Sequence, residues 1–210
     1  MFLRLLHGRF MPSDSPLPPA SFQNPLPVWH KQGDMVRVPR HPAPPLDRAA
    51  VERLALRYVE RFATTRGRLT AYLQRKIRER GLEDASVDPA AIAERLAGLG
   101  YIDDRGWGEA KAAAMARRGV GARRVTGALR AAGIAGDDAE AIAPGIEDRA
   151  LDAALAFAKR RRIGPFADEA ADRPTREKQI AAMLRNGHSP TLARAIARMN
   201  PGDDPTQLAG

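Results

Sequence analysis

Cysteine is absent from the 210-residue sequence. No disulfide framework, thiolate metal site or cysteine nucleophile is therefore available, and the reducing cytoplasm is the compartment the composition fits. No apolar run approaches the length that crosses a bilayer, which excludes an integral membrane helix. The apolar opening MFLRLL stops at His7, Gly8 and Arg9 before a signal-peptide core is reached, so these residues read as part of a tail, with Met35 as a candidate initiator downstream. Alternating strand patterns bounded by turn dipeptides are also missing, and helices are left to build the core.

The residues of most catalytic chemistries are equally scarce. Of the four histidines, His7, His30 and His41 lie in the N-terminal tail and His188 stands alone, so no metal-site spacing exists. GVG at 119–121 begins like a dinucleotide fingerprint but has Arg124 where the third glycine belongs and no strand before it. There is no G-x-S-x-G elbow and no phosphate-cradling loop. Asp103 and Asp104, between Tyr101 and Trp107 in GLGYIDDRGWGEA, suggest an acid pair. Neighbours at a helix start point in different directions, however, and no third ligand follows at helical spacing. The expectation is no catalytic residue, no metal and no cofactor: a binding protein rather than an enzyme.

Positive charge is abundant. The 34 Lys plus Arg against 25 Asp plus Glu leave +9, a surplus spread along the chain that favours phosphate-rich or acidic partners. Residues 1–45 hold ten of the seventeen prolines and read as a disordered, Pro-rich tail. From Leu46 the pattern turns helical. Val51, Leu54, Ala55, Tyr58 and Phe62 form one apolar stripe; Leu69, Tyr72, Leu73 and Ile77 form a second, and Ile92, Leu96 and Leu99 a third. Asp88-Pro89 and Ser189-Pro190 are helix starts, and Gly81, Gly100, Gly119, Gly133 and Gly187 are helix ends.

These helices repeat. In YIDDRGW, Asp103 is placed to cap a helix whose flanking Ile102 and Trp107 pack as a hydrophobic staple. The same device is legible as Leu46, Asp47 and Val51 in PLDRAAV, and as Ile146, Glu147 and Leu151 in GIEDRAL. GIAGDDAEAI at 133–142 and GHSPTLARAI at 187–196 share their spacing as well. The expected fold is all-α, an elongated array of three tandem three-helix repeats at about 46–101, 102–145 and 146–200, the third lengthened by RIGPFADEAADRP, with a flexible end at 201–210. The second helix of each repeat is basic, with Arg66, Arg68, Arg75 and Lys76 in the first and Arg117, Arg118, Arg123, Arg124 and Arg130 in or near the second. Arg176, Lys178 and Arg185 follow in the third. These arginines and lysines are the candidate contact residues.

The text ALRYVERFATTRGRLTAYLQRKIRERG at 55–81, LAGLGYIDDRGWGEA at 96–110 and RRGVGARRVTGALRAAGI at 117–134, in that order, resembles the bacterial RecX regulatory family, and the likeness extends over about 46–200. Gly108 is a departure, since the family more often places an aromatic–Ala pair there. The resemblance implies an elongated helical-repeat fold and a cytoplasmic, monomeric regulator. Its implied partner is the RecA recombinase filament on single-stranded DNA, whose growth, strand exchange and ATP hydrolysis it would limit, with weak or indirect contact to the DNA itself. A stand-alone DNA-binding protein of helix-turn-helix or architectural type is the alternative reading of trihelical units with an Arg-rich helix.

Overall fold

The computed structural model describes residues 44–209; the expected disordered tail lies, apart from Pro44 and Pro45, outside them. Among the described residues nine α-helices follow one another: α1 (Arg48–Arg61), α2 (Arg66–Arg80), α3 (Pro89–Gly98), α4 (Asp104–Arg117), α5 (Ala122–Ala131), α6 (Gly136–Glu147), α7 (Ala150–Arg161), α8 (Arg173–Arg185) and α9 (Pro190–Arg198). A 3-10 turn at Gly164–Phe166 fills the lengthened joint between α7 and α8. The fold is all-α, as the periodicity requires. The only β-type pairing among the described residues is one isolated parallel bridge, Leu46 to Leu82, which ties the chain entry to the α2–α3 connection.

Local chemistry sets the helix starts. The Asp47 carboxylate accepts from the Ala50 N–H at 2.6 Å, the Asp88 carboxylate from Ala90 at 2.8 Å, the Asp103 carboxylate from Gly106 at 2.8 Å and the Ser189 hydroxyl from Leu192 at 3.2 Å. Each satisfies an N–H that the helix leaves without a partner. Pro89 and Pro190 occupy the first turn, where the missing N–H costs nothing. At the far ends Gly100, Gly119, Gly133 and Gly187 take φ between 69° and 93°, the left-handed region in which a Cβ would clash.

Each set of three helices encloses its own apolar cluster. The first is built on Leu46, Val51, Leu69, Leu73, Ile92 and Leu96. Val125, Leu129, Ile134, Ile142 and Ile146 anchor the second. Phe157, Ile163, Met183, Ala193 and Ile196 anchor the third. At about 1.5–3 kcal/mol for each fully buried large aliphatic side chain, none of these clusters is large enough to offset the ordering of its own helices by a wide margin, so stability depends on the junctions between repeats.

The staples differ from expectation in two places. Leu46 and Val51 do share the first cluster, with Asp47 as the cap between them. Ile102 is buried in that same first cluster, whereas Trp107 packs on the second. The YIDDRGW segment therefore stitches two repeats together instead of stapling one helix to its own entry. In the third copy Glu147 is the last residue of α6, and α7 begins at Ala150 without a side-chain cap. Ile146 belongs to the second core and Leu151 is half-buried in α7. The reason is that α6 runs almost directly into α7, so no extended residue is present for a carboxylate to cap. Pro205–Ala209, expected as a flexible end, forms a short 3-10 helix whose Leu208 packs on the third core. Gly108 also has its explanation: a Cβ there would sit 2.5 Å from Ile142 Cδ1 and 3.0 Å from Ile134 Cδ1, so the two isoleucines occupy the space that alanine would need.

Candidate interaction surface

The repeats meet through glycine. The start of α2 lies against the α5–α6 turn so closely that a Cβ on Gly67 would stand 2.7 Å from Gly133 Cα. The Thr65 hydroxyl donates to Ala132 O across the same junction. The start of α5 meets the α8–α9 turn in the same manner: a Cβ on Gly121 would collide with the backbone of Gly187 and His188, the Gly121 N–H donates to Asn186 O at 3.0 Å and the Arg123 N–H to Gly187 O at 3.1 Å. A second helix docking on the glycine turn of the next repeat is thus the joint of the array, used twice.

Arg66 closes the first joint. Its N–H and Nε donate to the two oxygens of Asp104, both at 2.9 Å, its Nη1 to Glu94 at 3.2 Å and its Nη2 to Asp138 at 2.7 Å. The Asp104 side chain is only 4% exposed. Its hydrogen bond is the largest cause holding the Arg66 guanidinium charged beyond its already high basicity, ahead of the opposing desolvation and the Glu94 contribution. The apparent acid pair thus divides its work. Asp103 caps its own helix, and Asp104 caps α2 from the next repeat.

The other sequence candidates fall into two groups. On α2, Arg68 lies over the Trp107 ring at 5.3 Å, Arg75 over Tyr72 at 5.5 Å, and Lys76 pairs with Glu79 at 2.6 Å; that ammonium is the main reason the Glu79 carboxyl sits below its usual range. Around the second joint, Arg123 Nη2 donates to Leu184 O at 2.8 Å and Arg124 Nη1 to Asn186 Oδ1 at 3.4 Å. Arg130 and Arg123 line a groove of about 530 Å³ between α5 and the α8–α9 turn, floored by Ala122, Leu184 and Leu192. Arg117 and Arg118 are exposed at the end of α4. In the third repeat Arg176 donates to Ala171 O at 3.0 Å. Of the nine first- and second-repeat candidates, Arg66 is spent on the joint, while Arg123 and Arg130 share the groove.

Sequence reasoning missed two elements of this surface. Lys159, Arg160, Arg161 and Arg162 end α7, a run legible in the sequence but indistinguishable there from the cations that commonly finish a helix. His188 stands alone in the sequence. It is buried beneath Phe157, ring centroids 5.3 Å apart, with Nε2 3.3 Å from Asn186 Nδ2. Desolvation lowers its pKa and outweighs the opposing hydrogen bond from the Gly119 backbone.

Three small helical cores linked by glycine joints, under a surface rich in arginine, define a helical-repeat protein. No family model matches the chain. It is 29% identical over 165 residues to regulatory protein RecX of Myxococcus xanthus, a match covering 72% of this chain and 86% of that protein. A crystal structure of regulatory protein RecX superposes with a TM-score of 0.55 at 18% identity, covering 71% of this chain and 70% of that one. RecX from Lactobacillus salivarius gives 0.54 at 18%, covering 71% and 93%. The chain is thus similar to RecX regulatory proteins in sequence and shares their fold. No helix among the described residues is long and apolar enough to cross a membrane.

Proposed function

We propose that this protein is a non-catalytic, cytoplasmic regulator that binds the RecA recombinase filament on single-stranded DNA and restrains strand exchange and ATP hydrolysis. The observation that carries this reading is the likeness to a RecX regulatory protein over most of both chains, joined to a net positive charge. A row of repeats suits a partner that is itself a repeating helix, because successive units can engage successive turns of a groove. The test is to add the full chain to cognate recombinase assembled on single-stranded DNA and follow ATP hydrolysis and strand exchange. Both rates are expected to fall as the protein approaches stoichiometric amounts. Unchanged rates at low salt would rule the reading out. Tight, sequence-dependent binding to duplex DNA without recombinase would support the stand-alone DNA-binding alternative in its place.

A further inference from the structure

We infer that the second joint is a proton-operated hinge: neutral His188 keeps the α8–α9 turn seated on the start of α5, and protonation of its ring unseats that turn while each repeat stays folded. The turn carries polar contacts that close the joint. Asn186 O and Gly187 O accept from the Gly121 and Arg123 N–H groups, and Leu184 O accepts from the Arg123 guanidinium. The Asn186 amide sits among them. Its Nδ2 donates to Gly119 O at 2.6 Å, its Oδ1 accepts from Arg124 at 3.4 Å, and the same Nδ2 lies 3.3 Å from His188 Nε2.

These partners assign the protons. A guanidinium only donates and a carbonyl only accepts, so the amide has one permitted orientation, with its oxygen towards Arg124 and its nitrogen towards Gly119 O. The second hydrogen on Nδ2 is left for His188 Nε2, which must accept it and therefore carries no proton. The ring is neutral, with its hydrogen on Nδ1. Protonation would set one N–H against another. Turning the amide over would relieve that clash only by placing its nitrogen against Arg124 and its oxygen against Gly119 O. Neither orientation of the amide in the closed joint satisfies a charged His188, and a buried network that is only partly satisfied opposes its own closure.

The surroundings oppose the charge as well. His188 is buried against Phe157, and that burial outweighs the help of Gly119 O, which already accepts from Asn186. The charged groups around the turn are mostly cations. Arg118 precedes Gly119, Arg123 and Arg130 of α5 line the same groove as His188, and Arg124 lies against Gly187. From α7, Arg160 reaches the Gly119 turn and Arg161 lies over the Phe157 ring at 6.0 Å. Glu147 also lines the groove but makes no ion pair with His188. Once the turn is unseated, the ring meets water and regains the ordinary pKa of about 6.5. The open form therefore binds the proton first, and opening grows as the pH falls below about 6.5, by at most about tenfold for each pH unit. The hinge does not depend on the identity of the partner.

The experiment is amide hydrogen exchange of the full chain, followed by NMR from about pH 7.5 to 5.5 and corrected for the intrinsic pH dependence of exchange. Protection of the Gly121 and Arg123 N–H groups, which bond across the joint, is expected to fall about three- to tenfold over that range. Low concentrations of urea should leave their exchange nearly unchanged, because unseating a turn exposes little surface, whereas the amide of Leu73 in the first core should respond steeply. In His188→Gln the side-chain oxygen accepts from Asn186 without titrating, and the pH dependence at Gly121 and Arg123 should disappear. A second readout needs no substitution: nitrogen-15 shifts of the wild-type ring at pH 7.5 should show the hydrogen on Nδ1. Protection that ignores pH, or that falls only with the urea dependence of whole-molecule unfolding, would overturn the hinge. So would an unaltered pH dependence in His188→Gln, or a wild-type ring carrying its hydrogen on Nε2.

Discussion

Arg66 and Asp104 illustrate how much one residue pair can hold. Asp104 is buried and its two oxygens are used by one arginine, so replacing Arg66 leaves a carboxylate in an apolar joint without its counter-charge. A fully buried pair broken in this way costs about 3–5 kcal/mol; because the Arg66 side chain is 36% exposed and water can partly take its place, Arg66→Ala is expected to cost about 2–3 kcal/mol in denaturant unfolding. Arg66→Lys should recover little of it, since an ammonium cannot serve Asp104, Glu94 and Asp138 together. His188 makes a second prediction at this scale. Its pKa in the folded protein lies below the unfolded value of about 6.5, so the unfolded chain binds the proton first as pH drops. Stability is then flat above neutrality and decreases as the pH falls through about 6.5 towards the folded value. The melting temperature followed from pH 7.5 to 5 should show this decrease, and His188→Gln should flatten that part of the profile.

Among the elements, glycines separate into those that fit and those that are replaceable. Gly67→Ala drives a methyl group into the backbone of Gly133, where no side chain can move aside, and is expected to cost about 1–3 kcal/mol by thermal melting. Gly127, inside α5 with open space where its Cβ would be, should behave oppositely: Gly127→Ala is expected to stabilise by about 0.8–1 kcal/mol through helix propensity. The two substitutions are identical on paper and opposite in sign. Helix starts, by contrast, were legible residue by residue. Asp47, Asp88, Asp103 and Ser189 cap the helices their spacing announced, because an N-cap acts within three residues of itself. Glu147 failed as a cap for an equally local reason, as the helix before it continues through that position.

At the scale of the molecule the repeats behave as coupled units. Each cluster is small, and the second joint holds the third repeat through Gly121, Asn186 and the Gly187 turn. Gly121→Val leaves all three clusters intact but forces this joint apart. Urea unfolding, monitored by circular dichroism, is expected to broaden or divide into two transitions, and recombinase inhibition should weaken although helix content is nearly unchanged. One sharp transition at the wild-type midpoint would mean that the joint contributes little. The outcome matters for the regulatory reading, since a partner that contacts several repeats needs them held at fixed angles to one another.

By itself the sequence determined the all-α class, several helix starts and ends, the repeated three-helix unit and the likeness to RecX proteins, because each depends on periodicity, capping and motif order within a few residues of one another. Only the tertiary structure decided what crosses between repeats. It placed Ile102 in the core before Trp107's, withdrew Arg66 into a joint, buried His188, and brought the end of α7 over the Gly119 turn. Those outcomes depend on backbone approaches at Gly67 and Gly121 and on charges some forty to seventy residues apart in the chain. A charge pattern along one helix cannot distinguish a cation that will meet a carboxylate from another repeat from one that will be left facing the solvent.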